Sequence, residues 1–192
     1  MGTDENDRSV RQIRDAKVLS ALAQPVRGRL MDALAVYGPS TASLLSERTG
    51  EAVGNVSHHL KVLATAGLIE QAPELARDRR ERWWRRASDV FRWQESDFAD
   101  DDRDSMVQAA ATSMTLEHHT ALARAWQQGR AGDSDAWPTG PFMTGRWLRL
   151  TDGQLAALGA EMLDLLDRHE RHPITDDASP VFVYALGFPA RP

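Results

Sequence analysis

The stretch Val53-Gly54-Asn55-Val56-Ser57-His58-His59-Leu60-Lys61-Val62-Leu63-Ala64-Thr65-Ala66-Gly67 reads as a single helix with two unlike sides, stopped by its glycine. At about 100° per residue, Val56, Leu60 and Leu63 fall together, and Gly54, His58, Lys61 and Thr65 fall opposite them. Asn55 and Ser57 lie on the flanks. His59 falls nearer the apolar side, where it packs. The outward face is small and polar at its start and gains a cation one turn later. Small residues allow close approach, amides and hydroxyls can meet base edges, and an ammonium can meet a phosphate. The same face also suits plain exposure to solvent, and this helix alone does not decide between the two.

Its neighbours sharpen the reading. Ser40 or Thr41 can cap a short helix carrying Leu44 and Leu45, and Gly50 is placed to end it. Ahead of that, Pro25 suits the first turn of a helix carrying Val26, Leu30, Met31 and Leu34, broken at Gly38-Pro39. Val10, Ile13, Val18, Leu19 and Leu22 recur at helical spacing, which predicts a first helix over residues 10–22. A short helix, a tight glycine turn and a second helix make a helix-turn-helix. In that arrangement the second helix lies in the major groove of a duplex with its N-terminal residues at base edges.

C-terminal to the helix, Leu68-Ile69-Glu70-Gln71 and Glu81-Arg82-Trp83-Trp84-Arg85 are two extended runs. The polar stretch between them predicts a hairpin with a long basic tip. Arg77, Arg79, Arg80, Arg82, Arg85 and Arg86 are offset only by Asp78 and Glu81. Arginine reaches phosphates in bidentate fashion and enters a narrow minor groove, although a charged loop also serves solubility. Trp83 and Trp84 are read as packing residues that hold the hairpin to the helices. The candidate DNA contacts are Thr41, Gly54, Asn55, Ser57, His58 and Lys61, with Arg77, Arg79 and Arg80 from the hairpin.

The matching stretches Val18 to Arg27 (VLSALAQPVR), Val56 to Leu63 (VSHHLKVL), Gly67-Leu68-Ile69 and Arg80 to Arg85 (RERWWR) resemble the ArsR-type family of winged-helix repressors. The Gly-Glu run before the fourth helix and the double tryptophan resemble its larger, metal-independent branch. The resemblance covers residues 18–86. It implies a homodimer built on the first helix and the long helix after the hairpin, with recognition helices in successive major grooves of a palindromic site. Two departures stand out. Ala52 occupies a position where many relatives carry a capping serine. The family's Cys-x-Cys metal box is missing, and with it thiolate metal sensing.

Composition bounds the rest. The chain has 192 residues and no cysteine, so disulfides, thiolate metal sites and cysteine nucleophiles are excluded. The net charge of −5 is unevenly spread: residues 1–94 carry +3 and residues 95–192 carry −8. Only the first half suits phosphates. No run approaches the ~18 apolar residues of a membrane span, and the acidic start shows no signal region, which leads to a cytoplasmic expectation. No phosphate-binding glycine loop, nucleophile elbow or zinc-protease motif occurs, so no enzyme is expected. His118-His119 with Glu117, and His169 and His172 with Asp167, lack a metal-site spacing and are read as polar surface histidines. No cofactor is expected.

Asp100-Asp101-Asp102 precedes a long helical segment ending near Arg130, with Met106, Ala110, Met114, Leu122 and Trp126 among its apolar positions. Glycines and prolines then mark a linker. Gly145 to Leu150 alternates like a strand, Thr151 and Gln154 fit a capping box, and Leu155, Leu158, Met162, Leu165 and Leu166 follow at helical spacing. Pro180 to Leu186 reads as a buried strand. This unit is either a buttress of the dimer or a small-molecule pocket around Trp147, Phe182 and Tyr184.

The expected architecture is mainly α with small β. A lead-in over 1–9 is disordered, and a winged helix-turn-helix domain spans 10–94. A dimerisation helix covers 95–130, a linker 131–141, and a C-terminal strand-helix-strand unit 142–192. The expected function is a homodimeric transcriptional regulator of double-stranded DNA, with or without a small-molecule effector. The alternative is a protein-interaction module on the same scaffold.

Overall fold

A computed structural model describes residues 10–78, 80–129, 137 and 140–191. The lead-in 1–9, Arg79 and most of the linker 131–141 lie outside the described residues. The chain divides into two units, 1–130 and 131–192.

The first unit opens with a strand, β1 (Val10–Gln12), then helices α1 (Ala16–Leu22) and α2 (Pro25–Tyr37). A short strand β2 (Ser40–Thr41) leads into α3 (Ala42–Thr49) and α4 (Val53–Thr65). Strands β3 (Ile69–Gln71), β4 (Trp83–Arg86) and β5 (Val90–Arg92) follow, and then the long helix α5 (Asp102–Gln127).

Helix starts other than that of α4 have a local chemical cause. Asp15 accepts from the Lys17 amide at α1, and Gln24 accepts from the Arg27 amide at α2, where Pro25 lacks the amide that would go unused. Thr41 accepts from the Leu44 amide (3.3 Å) and so caps α3. Asp101 accepts from the amides of Arg103 and Asp104, so part of the acidic run before α5 works as a cap and dipole complement. At α4, Ala52 makes no side-chain cap.

The apolar faces meet in one core. Leu19, Leu30, Leu45, Val56, Leu60, Leu63 and Leu68 are completely buried, and Trp84 closes the core from the sheet. Truncating any of these leucines to alanine costs about 2–5 kcal/mol by lost transfer and an added cavity. β4 is central in an antiparallel sheet of order β2-β4-β3, with Ser40 opposite Trp84 and Glu70 opposite Arg85. Alternation along β4 sends Trp84 into the core and leaves Trp83 half-buried on the other side.

The predicted helix over 10–22 is corrected at its start. Val10, Arg11 and Gln12 form a strand paired in parallel with β5, in register Val10 to Val90. The Ile13 amide continues the ladder to the Arg92 carbonyl (2.8 Å), and the helix begins only at Ala16 because Asp15 caps it there. Val10 to Ile13 is a spacing of three, which a helix turn and a strand exit satisfy alike. α5 lies along α1 and buries Ala111, while Trp93 donates to Thr112 (3.2 Å) from the preceding segment. Met106 (74 % exposed) and Leu116 stay open to solvent on its far side.

In the second unit, α6 (Asp152–Glu170) starts in a capping box: the Thr151 amide donates to Gln154 (2.9 Å) and the Gln154 amide to the Thr151 hydroxyl (3.3 Å). The strands predicted over 145–150 and 180–186 are a second correction, because among the described residues neither run belongs to a sheet. Alternating sequence gives a strand only when another strand is at hand to ladder with. No helix among the described residues is long and apolar enough to cross a membrane.

Candidate nucleic-acid interface

The turn between α3 and α4 is built from the sequence Gly50-Glu51-Ala52. Gly50 sits at φ +72°, a left-handed conformation that only glycine adopts without strain, and its amide returns to the Ser46 carbonyl (2.9 Å). The Ser46 hydroxyl donates to the Glu51 carbonyl (2.6 Å). The Glu51 carboxylate in turn accepts from Arg29 of α2 and from the Asn55 amide (2.7 Å), which fixes the first turn of α4 against α2. The bond is to the Asn55 side chain, so it anchors the turn without satisfying the free backbone amides that a capping serine at Ala52 would take.

α4 then presents the expected face. Gly54, Asn55, His58 and Lys61 are exposed and Ser57 is half-buried, while Val56, Leu60 and Leu63 are buried. Around Gly54 a β-carbon would meet nothing within 4 Å, so the helix start is bare and open to close approach. Asn55 already donates one amide proton to Glu51, which leaves its second N–H and its carbonyl oxygen for other partners. His59 is buried, as expected from its position, and burial together with the nearby Arg27 charge lowers its pKa below the ordinary 6.5. His58 meets it edge-on, ring centroids 5.3 Å apart.

Beside α4 runs a groove of about 590 Å³. Thr41 and Ser43 line it from the start of α3, Ser57 and Lys61 from α4, and Arg77, Arg80 and Arg82 from the loop of the hairpin, with Trp83 at its base. The acidic residues of this loop shape it. Asp78 accepts from the amides of Arg80 (2.7 Å) and Glu81 (3.0 Å), and Glu81 accepts from the Arg77 amide (2.8 Å). That amide bond holds the Glu81 carboxyl below its usual pKa, so the loop is tied by its carboxylates, while Arg77, Arg80 and Arg82 are exposed.

The hairpin arginines divide into two sets. Arg85 pairs with Glu70 of β3 (2.7 Å) and with Glu74 (2.6 Å). Arg86 lies over the Phe91 ring at 5.5 Å. Neither lines the groove. Arg82 and Ser43 do, and the sequence reading did not select them as contacts. Their signals were present in the basic run before β4 and in a small hydroxyl residue at the start of a helix. Arg79 lies outside the described residues.

The three aromatic residues proposed as a pocket are placed differently. Trp147 is 71 % exposed, and Phe182 and Tyr184 stack on one another with centroids 5.9 Å apart. A shallow depression of about 370 Å³ on α6 is lined by Leu158, Glu161, Met162, Asp164, Leu165 and Arg168 and includes none of the three.

A groove that joins two hydroxyl residues at a helix start, an ammonium and three guanidinium groups, against the single carboxylate of Glu81, has the chemistry to hold a polyanion. Residues 22–72 match the family model of a helix-turn-helix domain, from the end of α1 to just past β3. No curated protein matches the chain. The chain therefore carries a helix-turn-helix domain, flanked by a hairpin and by a long helix.

Proposed function

We propose that this chain is a sequence-specific regulator of transcription that binds double-stranded DNA as a homodimer. It is of the winged, ArsR-like kind without thiolate metal sensing, and represses from a palindromic operator in the cytoplasm. The observation that carries this reading is the groove shared by α4 and the hairpin. There Ser57 and Lys61 stand beside Arg77, Arg80 and Arg82. α4 enters the major groove, with His58 and Ser57 at base edges. The hairpin is the wing and tracks phosphates or the adjacent minor groove. The exposed far side of α5, with Met106 and Leu116, supports a two-fold dimer through residues 8–22 and 102–130. That geometry sets half-sites about 34–36 Å apart on the duplex.

The test is a binding titration against genomic duplex fragments over a range of salt concentrations. A steep linear fall of log affinity with log salt, and enrichment of a palindromic site, are expected. Absence of duplex binding at low salt would sink the reading and leave the protein-interaction module. Light scattering is expected to give the mass of two chains at micromolar concentration.

A further inference from the structure

The helical wall of the groove and the hairpin wall are joined along the chain by three residues. α4 ends at Thr65 and β3 begins at Ile69, so Ala66, Gly67 and Leu68 set the angle at which the hairpin leaves the helix. Gly67 takes φ +67°, a conformation open to glycine without strain. Its amide donates to the Ala64 carbonyl (2.9 Å) and the Leu68 amide to the Leu63 carbonyl (3.0 Å), which folds the link back on the helix. On the hairpin side, the Leu68 carbonyl accepts from the Ala87 amide (3.0 Å). The Gly67 carbonyl is taken by a side chain from 56 positions away, as Arg11 donates to it through Nη1.

β1 delivers Arg11 to that carbonyl. Along residues 11–14, Arg11 and Ile13 turn inward while Gln12 and Arg14 are exposed. Ile13 is buried in the core, and the ladder to β5 fixes the register. On the outer side Gln12 donates to Asp97 (2.6 Å), and Arg14 pairs with the same carboxylate (3.4 Å). The strand is thus seated on both sides. Its guanidinium lies so close over Gly67 that an added β-carbon would stand 3.0 Å from Nη1 and 3.4 Å from Nη2. α4 itself has no side-chain cap at Ala52 and no basic residue in its last turn. A cation at a helix C-terminus complements the dipole, and a charged donor bonds a carbonyl more strongly than a neutral one. Arg11 supplies both from outside the helix.

We propose that Arg11 is a positioning residue for the groove. It does not line the groove. It acts through the Gly67 carbonyl and fixes the angle between α4 and the hairpin, so that Ser57 and Lys61 on one wall and Arg77, Arg80 and Arg82 on the other meet one duplex together. The proposal rests on the DNA-binding reading. Phosphates repeat along any duplex and tolerate a small change of angle, whereas base edges do not. Loss of Arg11 therefore costs discrimination more than general affinity.

Two measurements on the full-length protein decide it. In the free protein, Arg11→Ala is expected to speed hydrogen exchange at the Gly67, Leu68 and Ala87 amides by about tenfold, with the amides of α2 and α3 unchanged. Unchanged exchange at the link, or faster exchange throughout the domain, would overturn the proposal. The second measurement titrates the genomic duplex fragment that the parent protein enriches, and a scrambled duplex, at one salt concentration. Arg11→Ala is expected to lower the ratio of the two affinities about fivefold or more, and Arg11→Lys, which keeps a cationic donor, to restore most of it. A parent protein that binds no duplex defeats the DNA-binding reading and this proposal with it. A parent that binds, with an unchanged ratio in Arg11→Ala or no recovery in Arg11→Lys, overturns this proposal alone.

Discussion

The Nε2 atom of His118, on α5, lies 2.6 Å from Oδ2 of Asp32, on α2. This bond ties the long helix to the helix that opens the helix-turn-helix domain. Gly28, one turn earlier on α2, faces the same ring, and a β-carbon there would sit 3.9 Å from His118 Cδ2, an ordinary approach. Asp32→Ala is expected to cost about 1 kcal/mol, the usual worth of a partly exposed hydrogen bond. Gly28→Ala is expected to add about 0.5–1 kcal/mol by relieving the entropy cost of glycine inside a helix. Urea unfolding measures both, and a Gly28→Ala variant less stable than the parent would show that α5 packs more tightly on α2 than these distances allow.

Gly54 separates stability from recognition. Its surroundings are empty, so Gly54→Ala is expected to stabilise α4 by roughly 0.5–1 kcal/mol. If the start of α4 presses against a duplex, the added methyl also weakens operator binding. Thermal unfolding and a duplex titration on the same sample are expected to move in opposite directions. Equal or tighter binding would place the start of the helix away from the DNA.

The hairpin and the helix α4 are expected to fail in different ways. If Arg77, Arg80 and Arg82 hold phosphates, replacing all three by alanine frees those phosphates. Affinity then falls alike for operator and scrambled duplex, and the salt slope drops by about 1 for each phosphate no longer neutralised. If His58 reads a base edge, His58→Ala removes a hydrogen-bonding group from it. It is expected to lower operator affinity about tenfold, or ~1.4 kcal/mol, with little change on the scrambled duplex. An unchanged ratio of the two affinities would mean that His58 reads nothing.

Buried His59 gives the fold a pH dependence of known sign. Its pKa is lowered by burial first and then by the charges of Arg27 and His58, with Glu51 opposing. The unfolded chain therefore binds the proton at a pH where the folded chain does not. Its contribution is complete above about pH 6.5 and is lost as pH falls from there toward the folded pKa. The urea midpoint is expected to drop between pH 7.5 and pH 5.5, and His59→Phe to reduce that drop. Burial also lowers the pKa of His119, so part of the dependence is expected to remain.

What could be read from the sequence was local. Thr41, Gly50, Thr151 with Gln154, and the apolar stripe of Val56, Leu60 and Leu63 are decided within a few residues of themselves, and they fall where the pattern put them. β1 was not legible, because three residues owe their strand to a partner 80 positions away at Val90 to Arg92. The sorting of the arginines was hidden for a similar reason. Only the pairing of Glu70 with Arg85 across the sheet shows which guanidinium is neutralised and which lines the groove.

Arg29 and Asp32 sit three residues apart on α2, about 4.5 Å along its axis. One is bound through Glu51 to the first turn of α4, the other to His118 of α5. No loop intervenes between the two anchor points. Twisting α2 about its long axis therefore swings both attachments through the same angle, as two cranks on one shaft. The same rod thus carries one attachment to the outer helix and one to the groove-facing turn.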